Sequence, residues 1–322
     1  MEINALNSKW VDVSSFKNYS GYNALRISSI CIPELYIATD NDGYRCLLLF
    51  LPTDFDLKLT GADKEKLQLT YIKEKDVILI KLKDVDFVDL FNDLIISLYL
   101  RIHKISNPDS YSKELIASFY KWVEFFEDKL IKSLSMDDIQ GIFGELFVLN
   151  NYVEESDFSN INFMLSSWKG LYDKANDFEF DFKNIEVKTK IESKPFVSIS
   201  SEFQLEKEFD KGLELLVVTV KIDLIDGKSI HDLILKIVKQ IRDNFGDLSI
   251  LYQALNQKGL TAENLKQYNN HRFIVLKTEL FDAASDDFPK LSKSNIVEEI
   301  SNLKYKLRIT QLSQFLIEMK KY

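Results

Sequence analysis

Residues 177–190 read DFEFDFKNIEVKTK. Side chains along a strand alternate between faces. Phe178, Phe180 and Phe182 therefore share one face with Ile185, Val187 and Thr189. Asp177, Glu179, Asp181, Glu186, Lys188 and Lys190 share the other. Two hairpin registers suit this pattern. With Lys183-Asn184 as a two-residue turn, Asp181 faces Glu186 and Glu179 faces Lys188. With a four-residue turn over 181–184, Glu179 faces Glu186, Asp177 faces Lys188, and Asp177 lies diagonal to Glu186. Diagonal pairs are about 7–8 Å apart, near enough for two carboxylates to converge on one ion. In both registers Glu186 meets another acid. That arrangement is destabilising unless a divalent cation sits between the two. Oxygen donors with no His or Cys nearby indicate Mg²⁺ (or Mn²⁺) rather than zinc. The competing reading is a solvent-facing hairpin with alternating ion pairs.

A hard cation with a lysine beside it suits phosphodiester hydrolysis. The metal lowers the pKa of a bound water and neutralises the phosphate. The lysine orients that water or stabilises the developing charge. Just upstream, Ser135 with Asp138 marks the start of a helix running to about 153. Ile142, Leu146 and Leu149 form its core stripe. Glu145 sits among Phe143, Gly144, Leu146 and Phe147, where a carboxylate is costly to bury without a partner. Downstream, Ser198, Ser200 and Gln204 follow on the next strand and its exit. Gln204, Ser200 and Lys190 are candidate substrate contacts. Satisfaction of local backbone groups is the alternative for Gln204 and the serines. Trp168 suits core packing, or a wall of the site.

The positioning elements follow from periodicity. Residues 1 to about 83 read as β-rich, with strands in ALRISSI, LYIATDND, YRCLLLFLP, LKLT, LQLTYI and VILIKL. From Val85 the spacing becomes helical, and Asn107-Pro108 breaks it before a second helix over 111–134. Residues 154–176 read as a loop or short strand. Strands are expected at 196–200, 214–224 (a central one, apolar throughout), 271–280 and 302–310, with helices over 229–245 and from 248. The expected domains are 1–105, β-rich and ending in a helix, and 106–322, carrying the site.

The chain has 322 residues, a net charge of −9 and two cysteines. So few cysteines in so long a chain point to a reducing cytoplasm. The N-terminus lacks the pattern of a signal peptide, and no apolar run is long enough to span a membrane. A dedicated nucleic-acid binder usually carries a basic footprint, which the total charge does not show. Carboxylates gathered round a metal lower the net charge without repelling the substrate. Residues 291–322 carry a local net charge of +3, read as a solvated strand face. There is no Gly-rich phosphate loop, so the chain does not read as an ATPase in its own right. His103, His231 and His271 lack ligand spacing. Cys31 and Cys46 read as small buried hydrophobes.

Asp177 followed by Glu186-Val187-Lys188 resembles the D…(D/E)XK signature of the PD-(D/E)XK nuclease superfamily. More closely, IFGELFVLN, Trp168, NDFEFDFKNIEVKTK and VSISSEFQLE together resemble a bacterial family known as PD-(D/E)XK motif proteins. The likeness is best defined over about 139–206 and, by length, extends over most of the chain. It implies an α+β / α/β fold: an N-terminal β-rich domain, then a restriction-endonuclease-like αβββαβ core with a mixed sheet. It places Asp177 and Glu186 on the metal, Lys188 at the attacking water and Glu145 as an outer ligand. Asn176 stands where the signature has proline. The separation of Asp177 from Glu186 is short for the superfamily, which keeps Glu179 and Asp181 as rivals for the first ligand. The activity implied is metal-dependent DNA cleavage in bacterial restriction or anti-phage defence. The implied partners are DNA, other defence proteins (an ATPase or helicase) and, as one arrangement, a second copy in a homodimer; no membrane is implied. The rival class is a non-catalytic DNA-binding or scaffold subunit that kept the nuclease fold.

Overall fold

The first described residues form a helix, not a strand. In α1 (Ile3–Ser15), Leu6, Trp10 and Val13 recur at i, i+4, i+7 and are all buried. That period belongs to one helical face, and it corrects the expectation of a β-rich start. The computed structural model describes residues 2–15, 21–126, 134–157, 159–169, 176–261 and 264–322.

Residues 1–130 with 247–252 form the first of two units. Its sheet holds β1 (Asn23–Arg26), β2 (Glu34–Thr39), β3 (Arg45–Phe50), β4 (Ala62–Asp63), β5 (Leu67–Ile72) and β6 (Val77–Leu82), in the order β1-β2-β3-β6-β5-β4. Every pairing is antiparallel. The β2–β3 turn takes Gly43 at φ 84°, with the Asp40 carboxylate accepting from the Tyr44 N–H at 2.8 Å. A positive φ of that kind favours glycine. The LKLT segment at 57–60 joins no ladder, contrary to expectation. Helices α2 (Val88–Ile102) and α3 (Pro108–Phe126) follow. Asn107 accepts from the Ser110 N–H and Pro108 takes the first helical position, where its missing N–H costs nothing. The last part of the helix expected over 111–134 lies outside the described residues. The boundary expected at 105/106 falls between α2 and α3, whereas this unit extends through α3. The packing of α3 against β5 explains the difference.

The second unit comprises 131–246 and 253–322. It opens with α4 (Met136–Glu154), whose start is a capping box between Ser135 and Asp138. A short helix, α5 (Ile161–Ser167), replaces the loop or strand expected within 154–176; Ile161 and Leu165, at i and i+4, are buried. The remaining elements are β7 (Phe178–Glu179), β8 (Lys183–Ile191), β9 (Phe196–Ile199), β10 (Gly212–Ile222), α6 (Ile230–Asp243), α7 (Leu248–Gln257), β11 (Phe273–Asp282), β12 (Tyr305–Arg308) and β13 (Leu316–Lys321). Residues 248–252 of α7 belong to the first unit.

The main sheet of this unit runs β13-β11-β10-β8-β7. It is mixed: β8 and β10 are parallel, and the other neighbours antiparallel. This is the α+β arrangement expected of a restriction-endonuclease-like core. The 196–200 strand does not join it; β9 pairs with β12 instead. A cluster including Val197, Ile199, Leu213, Leu215 and Phe281 buries one face of the sheet beneath that pair. On the other face α4 approaches β8 closely. Gln140 Nε2 donates to the Thr189 carbonyl at 2.7 Å. A Cβ on Gly144 would lie 1.8 Å from Thr189 Oγ1. With Thr189 in this conformation the crossing has room only for glycine, next to Glu145 on α4.

Candidate active site

The hairpin carrying the charged face adopts neither expected register. Phe178 pairs with Ile185 and Glu179 with Asn184. The Phe180 N–H donates to the Lys183 carbonyl at 2.9 Å, so the turn centres on Asp181-Phe182. Aromatic packing selects this register. Phe178 is fully buried, and both Phe178 and Phe180 meet Tyr152 edge-on, while Phe182 is left exposed at the tip. The pairing moves Asp181 and Glu179 away from Glu186. Asp181 is exposed, and Glu179 lies 4.0 Å from Lys169.

Beyond Phe178 the ladder stops, and a side chain continues it. Asp177 Oδ2 accepts from the Val187 N–H at 2.8 Å. This fixes Asp177 at the edge of β8, beside the alternate positions Glu186 and Lys188. Asn176, at the signature's proline position, is buried and donates from Nδ2 to the Gln204 carbonyl.

Glu186 is 1% exposed, and Lys188 Nζ lies 2.6 Å from its Oε1. Burial pushes the Glu186 carboxyl up to about 8; Lys188 opposes the rise and Asp177 adds to it. Burial works to lower the pKa of Lys188, yet Glu186, Asp177 and Glu145 together outweigh it and hold the group as an ammonium. Opposite charges favour the charged form, and desolvation disfavours it.

Glu145 reaches the same place from α4. Its Oε2 accepts from Trp168 Nε1 at 2.8 Å and is paired with Lys258 Nζ at 2.5 Å. Burial raises the Glu145 pKa, Asp177 adds to the rise, and Lys258 and Trp168 oppose it. The Lys258 side chain is 2% exposed. Burial again works against its charge, but Glu145, Asp177 and Glu186 hold it protonated.

Lys258 is the member of this group that sequence reasoning missed. It lies just past α7, its N–H on the carbonyls of Ala254 and Leu255, and Gly259 follows at φ 75°. A Lys-Gly pair there reads as an ordinary helix end, and no spacing ties it to Glu145. Trp168 is buried as a packing residue would be, and its indole N–H also orients Glu145.

Glu145, Asp177, Lys188 and Lys258 line a cleft of about 410 Å³ together with Ser200, Gln204 and Lys190. Gln204 Oε1 accepts from the Ser200 N–H at 2.8 Å, so both have local partners at the cleft wall. Lys190 is buried, and its pKa is lowered by burial and then by Lys277. His103 stacks on Tyr99, and Cys31 and Cys46 are buried without a disulfide.

Among the described residues, no three His, Cys, Asp or Glu side chains are gathered to hold one metal ion. The donor chemistry nevertheless fits a hard divalent cation. Asp177, held against β8 by the Val187 N–H, and Glu186, two positions along the same hairpin face from Lys188, supply carboxylate oxygens. Magnesium commonly takes one or two protein carboxylates and completes its shell with water and substrate.

A family model described as "Putative PD-(D/E)XK family member, (DUF4420)" matches residues 6–310. No curated protein and no solved structure matches the chain. No helix among the described residues is long and apolar enough to cross a membrane.

Proposed function

The chain belongs to this PD-(D/E)XK family, and from that premise we propose that it is a divalent-metal-dependent DNA nuclease. One observation carries the reading: Glu145, Asp177 and the buried Glu186 act on Lys188 and the buried Lys258, and all of these but Glu186 line one cleft. Asp177 and Glu186 hold Mg²⁺ (or Mn²⁺). The bound ion supplies Lewis-acid polarisation and a lowered pKa for water.

The chain's own groups do the rest. Lys188 pairs with Glu186 Oε1, which leaves Oε2 for the ion. Its ammonium, desolvated in the cleft wall, orients the attacking water and stabilises charge developing on the phosphate. Glu145, gripped through Oε2, holds water by its other oxygen as an outer ligand. Gln204, Ser200 and Lys190 line the path of the substrate. DNA is the substrate; a bacterial restriction or anti-phage system in the cytoplasm is the setting, with an ATPase or helicase supplying movement and a homodimer as one assembly. The net charge of −9 favours the second reading, a non-catalytic DNA-binding or scaffold subunit.

Cleavage of DNA with Mg²⁺ or Mn²⁺ separates the two. The wild type is expected to cut, and Lys188→Ala and Glu186→Ala to lose at least about 100-fold in rate. If all three proteins behave alike, catalysis at this site is refuted.

A further inference from the structure

The cluster holds more positive charge of its own than the hairpin motif supplies. Lys188 belongs to the hairpin, but Lys258 arrives from beyond α7, more than a hundred positions after Glu145 in the chain. It is almost fully buried, and its ammonium touches Glu145 Oε2 while lying 5.5 Å from the Trp168 ring. Burying an ammonium is costly unless a carboxylate compensates it. Glu145 does so, and Trp168 Nε1 completes the grip on the same oxygen.

Counting charge gives the consequence. With all groups ionised, three carboxylates against two ammonium groups leave one negative charge. One divalent cation turns that to one positive charge, which a phosphodiester neutralises. A second divalent cation would leave two uncompensated positive charges in a buried site with substrate bound, at a large desolvation penalty.

We propose that the Lys258 ammonium stands in for a second metal ion. The site then takes a single divalent cation on Asp177 and Glu186, with Glu145 matched in charge and held in place by Lys258. Lys258 is a positioning residue that acts through Glu145. The inference rests on the metal-dependent reading above and adds its stoichiometry.

Mn²⁺ binding to the full chain without DNA tests it, followed by the electron-spin signal of free Mn²⁺ and by calorimetry. Wild type and Lys258→Arg are expected to bind one ion per chain. Lys258→Met, which leaves Glu145 unmatched, is expected to bind a second ion or to hold the first about tenfold more tightly. The Lys258→Met/Glu145→Gln double variant removes both charges and avoids an unpaired buried acid. It is expected to bind one ion per chain, more weakly than the wild type because an outer ligand is lost with Glu145. That variant keeps the test decisive if Lys258→Met fails to fold. Two ions in the wild type, an unchanged Lys258→Met, or a second ion in the double variant would overturn the proposal. Two ions in the wild type would leave the metal-dependent reading standing; no ion at all would sink both.

Discussion

Two charge networks in this protein use the same chemistry to opposite ends. In the first unit, Arg101 lies between Glu114, at 2.8 Å, and Asp247. Asp247 also accepts from the Ser249 N–H and hydroxyl and from Ser97. The Arg101 side chain is 26% exposed, so water shares the load. Burial works to lower the Arg101 pKa, but its two acids outweigh it and the group stays charged. In the second unit, Glu145 and Glu186 are buried, and their lysines do not bring either acid back to its ordinary range. The first network is satisfied and structural. The second holds two buried acids above their ordinary range beside a cleft, a pattern common at functional sites.

The largest expected effect sharpens that contrast. Glu186→Ala and Lys188→Ala should each abolish cleavage by about 100-fold or more. Arg101→Ala should leave the rate within about threefold while lowering stability by about 1 kcal/mol, measured by denaturant unfolding. A collapse of activity in Arg101→Ala would break the comparison.

Next comes the crossing beside Glu145. Gly144→Ala drives a Cβ to 1.8 Å from Thr189 Oγ1. Overpacking of this kind should cost about 3 kcal/mol. Adding Thr189→Ala should recover most of the loss, because the clashing hydroxyl is gone. Additive losses in a thermal melt would show that the close approach is not the cause.

The pH response distinguishes the networks without DNA. The folded pKa of Glu186 is about 8 against an ordinary 4.5, so the folded state favours its protonated form. That contribution is complete below pH 4.5 and is lost as pH rises through about 8, at most about 5 kcal/mol. Glu145 shifts in the same direction. In EDTA, the melting temperature of the second unit should fall from pH 5 to pH 8, and Glu186→Gln should flatten the trend. A melting temperature that rises over this range would contradict the burial of the acid.

The smallest effects concern the two rivals. Glu179→Gln and Asp181→Asn should each change cleavage by less than about twofold, because Glu179 turns to Lys169 and Asp181 is exposed. A large loss in either would move the first ligand away from Asp177.

Much of the scaffold was legible from periodicity. The capping box at Ser135, the buried stripe of α4 and the apolar run of β10 follow from local pattern, because helix and strand repeats are written in consecutive residues, whereas the mixed sheet came only from the family resemblance. The α1 helix is equally legible in the i, i+4, i+7 spacing of Leu6, Trp10 and Val13. The edge strand β13 is exposed at every position, so no burial pattern marks it.

By itself the sequence determined that acids and lysines share one face of a hairpin, that a glycine-glutamate pair on the preceding helix accompanies them, and which family the set resembles. Only the tertiary structure decided which acid stands by Glu186. The register depends on where Phe178 and Phe180 find Tyr152, a residue of α4, and no local spacing encodes that contact. It decided the place of Lys258 for the same reason. The partners of a buried charge are set by chain segments that meet only on folding, and the penalty for leaving such a charge unpaired makes their meeting specific.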